Sequence, residues 1–221
     1  MFTRHRVPMI YSRAEVLSDA AVHAVGLVSA LIAAPVLVTL AAVWFGDPTT
    51  VAAAAIYGLS LIAMFLCSAV YNHLALPARK DVLRRLDQSA IYVKIAGSYT
   101  PFAVLTGTHA GFFLAGVWGT AVLGASLIVL SPTPLKWASI LLYLALGWAG
   151  ALIGGPMLAA LSPAGFALIV AAGSIYTGGL FFFLWERLPF HNTIWHLFVL
   201  AASFVLYAAV LLELSGRAPG A

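Results

Sequence analysis

The sequence predicts an all-α integral membrane protein, a bundle of seven transmembrane helices, on three observations. Hydrophobic residues make up 63% of the chain and charged residues 8%, against about 25% charged in an ordinary soluble domain. Seven apolar runs follow one another through 221 residues, each near the roughly 20 residues that cross a bilayer as a helix, and no soluble domain fits beside them. Arginine and lysine are spread unevenly between the segments joining the runs, and that bias sets orientation.

Taken in order, residues 1–19 carry Arg4, Arg6, Arg13, Glu15 and Asp19 and read as a polar cytoplasmic leader. The first run, 20–45, is far longer than the roughly 7–15 residue core of a secretory signal and has no cleavage box, so it is expected to stay as a span. The second, about 50–75, follows GDPTT, and the third, about 87–106, follows the basic stretch LPARKDVLRRL. The fourth and fifth, 111–131 and 135–154, are separated by Ser131, Pro132 and Pro134 beside Lys136, turn chemistry that argues against merging them into a six-span count. The sixth and seventh, 164–185 and 193–214, flank ERLPFH. Residues 20–214 thus form a single transmembrane domain, with 215–221 as a short outside tail.

With the amino terminus in the cytoplasm, the inside segments hold Arg4, Arg6, Arg13, Arg79, Lys80, Arg84, Arg85, Lys136 and Arg187, and the outside ones only Arg217. Positive charge favours the cytoplasmic side, so the amino terminus is expected inside and the carboxyl terminus outside. Trp44, Trp118, Trp137, Trp185 and Trp195 fall near the ends of runs, where interfacial aromatics sit. The lone Cys67 excludes an internal disulfide and a cysteine-based zinc site. There is no nucleic-acid signature or internal repeat, and no protein partner is signalled. The RKDVLRR loop reads as topology and lipid-headgroup charge, which makes membrane lipids the expected partners.

In this topology several polar residues reach one membrane depth. Ser68 and Asn72 stand four apart at the end of the second run, Asp87 opens the third, Asn192 and His196 stand four apart at the start of the seventh, and His23 opens the first. Four residues are about 400° of helix, so each such pair shares a face. Singly, each has an ordinary reading: a packing hydroxyl, a cap, an interfacial histidine, an interhelical amide. Together they form a candidate buried polar site, because polar groups in a bilayer face protein or a water-filled cavity.

These residues sit in stretches that resemble the hemolysin III family, bacterial relatives of the progestin and adipoQ receptors: SDAAVHAVG, CSAVYNH, RRLDQSAIYVKIAGSYTPF, LGW at 146–148, GSIYTGGLFFF and PFHNTIWHLFVL. The resemblance covers nearly the whole chain. It implies a seven-helix bundle in the bacterial inner membrane with a cytoplasm-facing zinc site. That site comprises a serine with a histidine four residues later in the second span, an aspartate opening the third, and a histidine pair four apart in the seventh. Likeness to a wider group that includes alkaline ceramidases implies hydrolysis of a lipid amide or ester.

On this chain the pattern falls on Ser68, Asp87 and His196, but Asn72 and Asn192 occupy two of the histidine positions. His73 and His191 lie one residue from those positions, and one residue turns a helical side chain by about 100°, off the site-facing stripe. His191 could join His196 only if the helix began after it, which Pro189 permits. The expected catalytic residues are Asp87 as base or water orienter, Ser68 as a polar donor, and His196 as metal ligand or acid–base. Amides are weak zinc donors, so a metal-free lipid-responsive regulator competes with the hydrolase. A pore-forming cytolysin, suggested by the family's name, is the third reading. Lys94, two turns from Asp87 where the family has an apolar residue, would pair with Asp87 or snorkel outward.

Overall fold

A computed structural model describes residues 11–74, 76–107, 110–131, 133 and 135–219. Arg4 and Arg6 of the expected leader, Pro132 and Pro134 of the fourth turn, and the last two residues lie outside the described residues. Every regular element among those described is helical.

Helix α1 runs Arg13–Trp44, starting seven residues before the apolar run, because Ser12 and Glu15 form a capping box. The Ser12 hydroxyl accepts from the Glu15 N–H at 3.2 Å, and the Glu15 carboxylate accepts from the Ser12 N–H at 2.8 Å, so two end donors are satisfied at once. Asp19, expected in a polar leader, is therefore a helical residue facing the bundle. Helix α2, Pro48–His73, has Asp47 as its cap and proline at the first turn, where the missing N–H costs nothing. A short 3₁₀ turn leads into α3, Lys80–Thr106, which ends at Gly107 in the left-handed region. Helix α4 spans Ala110–Leu130.

The fifth run breaks into α5 (Lys136–Gly147), α6 (Ala149–Ile153) and α7 (Gly155–Ala159). Tyr99 of α3 holds the first break open: its hydroxyl donates to the Gly147 carbonyl at 2.5 Å and accepts from the Gly150 N–H at 3.0 Å. Gly154, Gly155 and Pro156 follow, residues poorly suited to a helix interior. Helix α8, Pro163–Leu184, starts from a Ser162 cap, and α9, His191–Ser215, follows Phe190 in the left-handed region at φ 60°.

Helices α1, α2, α4, α8 and α9 are long and apolar enough to cross a membrane. Helix α3 is as long but polar; its first turns are exposed, but every residue from Ala96 to Ala103 is buried, against α2, α4, α5 and α9. A helical stretch wrapped by protein does not need an apolar outer face. Small residues allow that closeness. A Cβ on Gly58 would meet the Ala34 methyl at 2.7 Å, the close approach typical of packed membrane helices.

Helix ends gather at two poles. The end holding the start of α1 and the end of α2 also holds the Lys136–Glu186 ion pair, the bond from the Phe190 N–H to Glu15, and Arg85 donating to the Ile128 and Val129 carbonyls. At the other, Arg217 reaches Glu213 and the Leu105 and Ala160 carbonyls.

Candidate metal centre

Asp19 and His23 are one helical turn apart on the inner face of α1, 5% and 3% exposed. The Asp19 carboxylate is the hub of three imidazoles. Its Oδ1 meets His196 Nδ1 at 2.6 Å, and its Oδ2 lies 3.2 Å from His73 Nε2 and 3.5 Å from His23 Nδ1. His23 is held at both nitrogens, Nδ1 being 2.9 Å from the Asp19 carbonyl and Nε2 3.0 Å from the Ser68 hydroxyl. The His23 ring packs edge-on against His73 and His196, with centroids 4.9 and 4.2 Å apart.

Helices α1 and α9 are locked together beside this cluster. Glu15 accepts from the Phe190 N–H at 2.9 Å, and the Ser18 and Thr193 hydroxyls are 3.0 Å apart. The register that sets Asp19 opposite His196 is thus held by neighbouring polar contacts one turn nearer the helix ends.

The arrangement suits a cation. Asp19, His23 and His196 each present a ligand atom within 4.8 Å of the others. His73 Nε2 also lies 3.2 Å from His23 Nδ1, so with Asp19 Oδ2 these atoms form a triangle whose sides are all 3.2 to 3.5 Å. Ligands on a tetrahedral ion with bonds of about 2.0–2.1 Å stand about 3.3 Å apart. His23 Nδ1 thus stands near the Asp19 carbonyl, the Asp19 carboxylate and His73 Nε2 together.

Of the residues predicted from the sequence, Ser68, Asn72, Asp87, Asn192 and His196 all line one cavity of about 650 Å³. Asn72 Nδ2 donates to the Ser68 carbonyl at 2.9 Å, and Asn192 Nδ2 lies 3.4 Å from Asp19 and 3.5 Å from Asn72 Oδ1, the last two long for hydrogen bonds. His196 and Ser68 are polar neighbours of Asp87. The two asparagines therefore flank the cluster where the resemblance places histidines.

The two offset histidines part company. His73, expected off the stripe, is in the cluster, because the 100° turn from Asn72 carries it towards α1, and Asp19 of α1 is the carboxylate that the sequence pattern did not single out. His191 opens α9 instead of preceding it, and its partner is the Tyr11 hydroxyl at 3.3 Å. Its Nδ1 has no hydrogen-bond partner. The signal for Asp19 was the Ser12-x-x-Glu15 capping box, which extends the helix back far enough to set Asp19 four residues before His23 on one face. Lys94 neither pairs with Asp87 nor snorkels: it is 3% exposed and donates to the Ser98 hydroxyl at 2.5 Å.

Fold and site together define a multi-pass membrane protein with a carboxylate–imidazole centre buried among its helices. The chain belongs to the haemolysin-III related family, whose family model matches residues 13–207. It is similar to a hemolysin-3 homolog of Bacillus subtilis (strain 168), 34% identical over 199 residues, covering 89% of this chain and 93% of the relative. Hemolysin-3 of Bacillus cereus is 35% identical over 199 residues, 89% of this chain and 90% of its own. The monocyte to macrophage differentiation factor of Homo sapiens is 32% identical over 165 residues, 70% of this chain and 67% of its own.

Proposed function

We propose that this protein is a metal-dependent hydrolase embedded in the cell's inner membrane, cleaving an amide or ester bond of a lipid amphiphile. The observation that carries the reading is the buried set Asp19, His23 and His196 with ligand atoms within 4.8 Å, opening onto an apolar cavity. Those three residues, with His73 beside them, would hold zinc, whose preferred donors are nitrogen and carboxylate oxygen. Bound there, zinc would supply polarisation of a carbonyl and a water acidic enough to react at neutral pH.

The chain's own groups fit the remaining tasks. Asp87 borders the cavity next to Ser68, placed to accept the proton of an attacking water and return it to the leaving group. Ser68 can donate to the substrate's carbonyl oxygen. Apolar side chains such as Phe102, Met157 and Val199 line the cavity and suit an acyl chain while keeping bulk water out.

Seven spans with the amino terminus in the cytoplasm belong to the same proposal. Arg79, Lys80, Arg84, Arg85, Lys136 and Arg187 lie at or beside the helix ends that meet near Asp19, which would turn the cavity mouth to the cytoplasm. Reporter fusions at the two ends should report opposite sides of the membrane; both on one side would end the seven-span reading.

The decisive experiment is metal analysis of protein purified without chelators, combined with release of free carboxylate from lipid amides and esters in vesicles. About one zinc per chain and a hydrolytic activity, both lost in His196→Ala, are expected. A metal-free protein would instead support a lipid-responsive regulator, a reading favoured by Asn72 and Asn192 at two histidine positions. Pore formation, suggested by the name of the Bacillus cereus relative, would appear as dye leakage from vesicles under the same conditions.

A further inference from the structure

We propose that Lys94 is an anion subsite in the membrane-buried part of the cavity, built to hold the carboxylate of a long-chain fatty acid. The inference stands whether or not the imidazole cluster binds a metal, and it names a ligand class for the same cavity. Lys94 lines that cavity two turns along α3 from Asp87, about 10 Å by helical rise.

The side chain is 3% exposed, so its ammonium does not reach the membrane surface. An ammonium has three N–H donors and accepts nothing. Here one goes to the Ser98 hydroxyl at 2.5 Å, and Ser98 passes its own proton to the Lys94 carbonyl at 2.7 Å. The Tyr57 ring lies 4.7 Å from the ammonium, a cation–π contact that neutralises no charge. No carboxylate among the described residues comes within ion-pair distance of it. The charged form is therefore left with two free donors and no counter-ion, which is unfavourable inside a membrane protein unless a ligand brings the negative charge.

The ligand's chemistry follows from what surrounds those donors. One positive charge balances one negative charge, and two N–H groups match the two oxygens of a carboxylate, whereas a phosphate would leave further oxygens without donors. Phe102, Met157 and Phe166 line the cavity with Lys94, so the remainder of the ligand is apolar. Its volume, about 650 Å³, is within the range of about 300–1,000 Å³ that holds ligands of this size. A single-chain fatty acid from the surrounding lipid meets all of these conditions.

The test is equilibrium binding of radiolabelled palmitate and hexadecanol to the purified full chain in nanodiscs. The native protein should prefer palmitate to hexadecanol. Lys94→Met, which keeps the length and removes the charge, should weaken palmitate binding by about tenfold or more, the scale of a lost charge-assisted hydrogen bond, and leave hexadecanol unchanged. Equal affinity for the two ligands in the native chain overturns the inference without any variant. His196→Ala, which disables the proposed hydrolytic centre, should bind palmitate as the native chain does. If His196→Ala loses palmitate and Lys94→Met keeps it, the carboxylate sits on the imidazole cluster and the Lys94 subsite is refuted, while the hydrolytic reading survives.

Discussion

Two buried carboxylates stand at opposite poles of the bundle, and their partners separate a fastening from a candidate site. Glu213 of α9 is 2% exposed and accepts from the Ser162 N–H at 3.0 Å, the Ser162 hydroxyl at 2.5 Å and the Arg217 guanidinium at 3.0 Å. Each of those donors is permanent. Gly165 packs so closely that a Cβ there would collide with the Glu213 carboxylate. Asp19 is also buried, but its partners are imidazoles, a side chain that gains and loses protons near neutral pH and ligates metals, and two of them, His23 and His196, border a cavity. A carboxylate saturated by fixed donors holds helices together. One shared among exchangeable donors beside open space is placed for chemistry.

The largest expected effect follows from the first pole. Glu213→Ala should destabilise the fold by about 3 kcal/mol, since it strands part of the Arg217 charge and leaves the Ser162 N–H and hydroxyl without their acceptor. Thermal unfolding in detergent checks it, and a loss no greater than for Asp19→Asn would remove the contrast between the poles. Next comes Gly165→Ala, expected to cost about 1–3 kcal/mol by pushing the Glu213 carboxylate from its donors; unchanged stability would mean that α8 can shift freely.

At the Asp19 pole the effect should appear in metal content more than in stability. His73→Ala is expected to lower zinc affinity by about tenfold or more, the loss typical when a metal-site group is removed, whereas His191→Ala should leave it as it was. Equal effects from the two would dissolve the distinction drawn from their positions. The smallest effect concerns an exposed carboxylate, Asp47. It accepts from the Thr50 N–H at 2.9 Å, and that bond holds its carboxyl below the ordinary carboxylate range. A depressed folded value means the cap's contribution is complete above the unfolded value and fades as pH falls through the folded one. Native and Asp47→Ala proteins should therefore differ in stability at neutral pH and converge in acid.

Much of the architecture was legible because membrane insertion writes itself into composition. Each of the seven apolar runs contains helix, and the two features that blurred them, the polar α3 and the broken fifth run, meet at one residue, Tyr99. Helix α3 keeps Lys94 because neighbours enclose that part of it, while its polar first turns are exposed, and Tyr99, a residue of α3, supplies the hydroxyl that stabilises the break at Gly147. A pattern read along one run does not reveal a donor that arrives from another.

The sequence by itself determined an apolar helical membrane protein of the haemolysin-III related family, with Ser68 and Asn72 on one helix face and Asn192 and His196 on another, because i, i+4 spacing and hydropathy are properties of single helices. Only the tertiary structure decided which of them meet, and around what. Asp19 looked like part of a charged leader until its helix was extended by the Ser12 and Glu15 cap. His73 looked misdirected because its angle was judged against the stripe of its own helix, whereas the packing of α1 against α2 placed a carboxylate where that angle points. Distances between side chains on different helices depend on crossing geometry and on where each helix begins, and neither is encoded in the spacing within one segment.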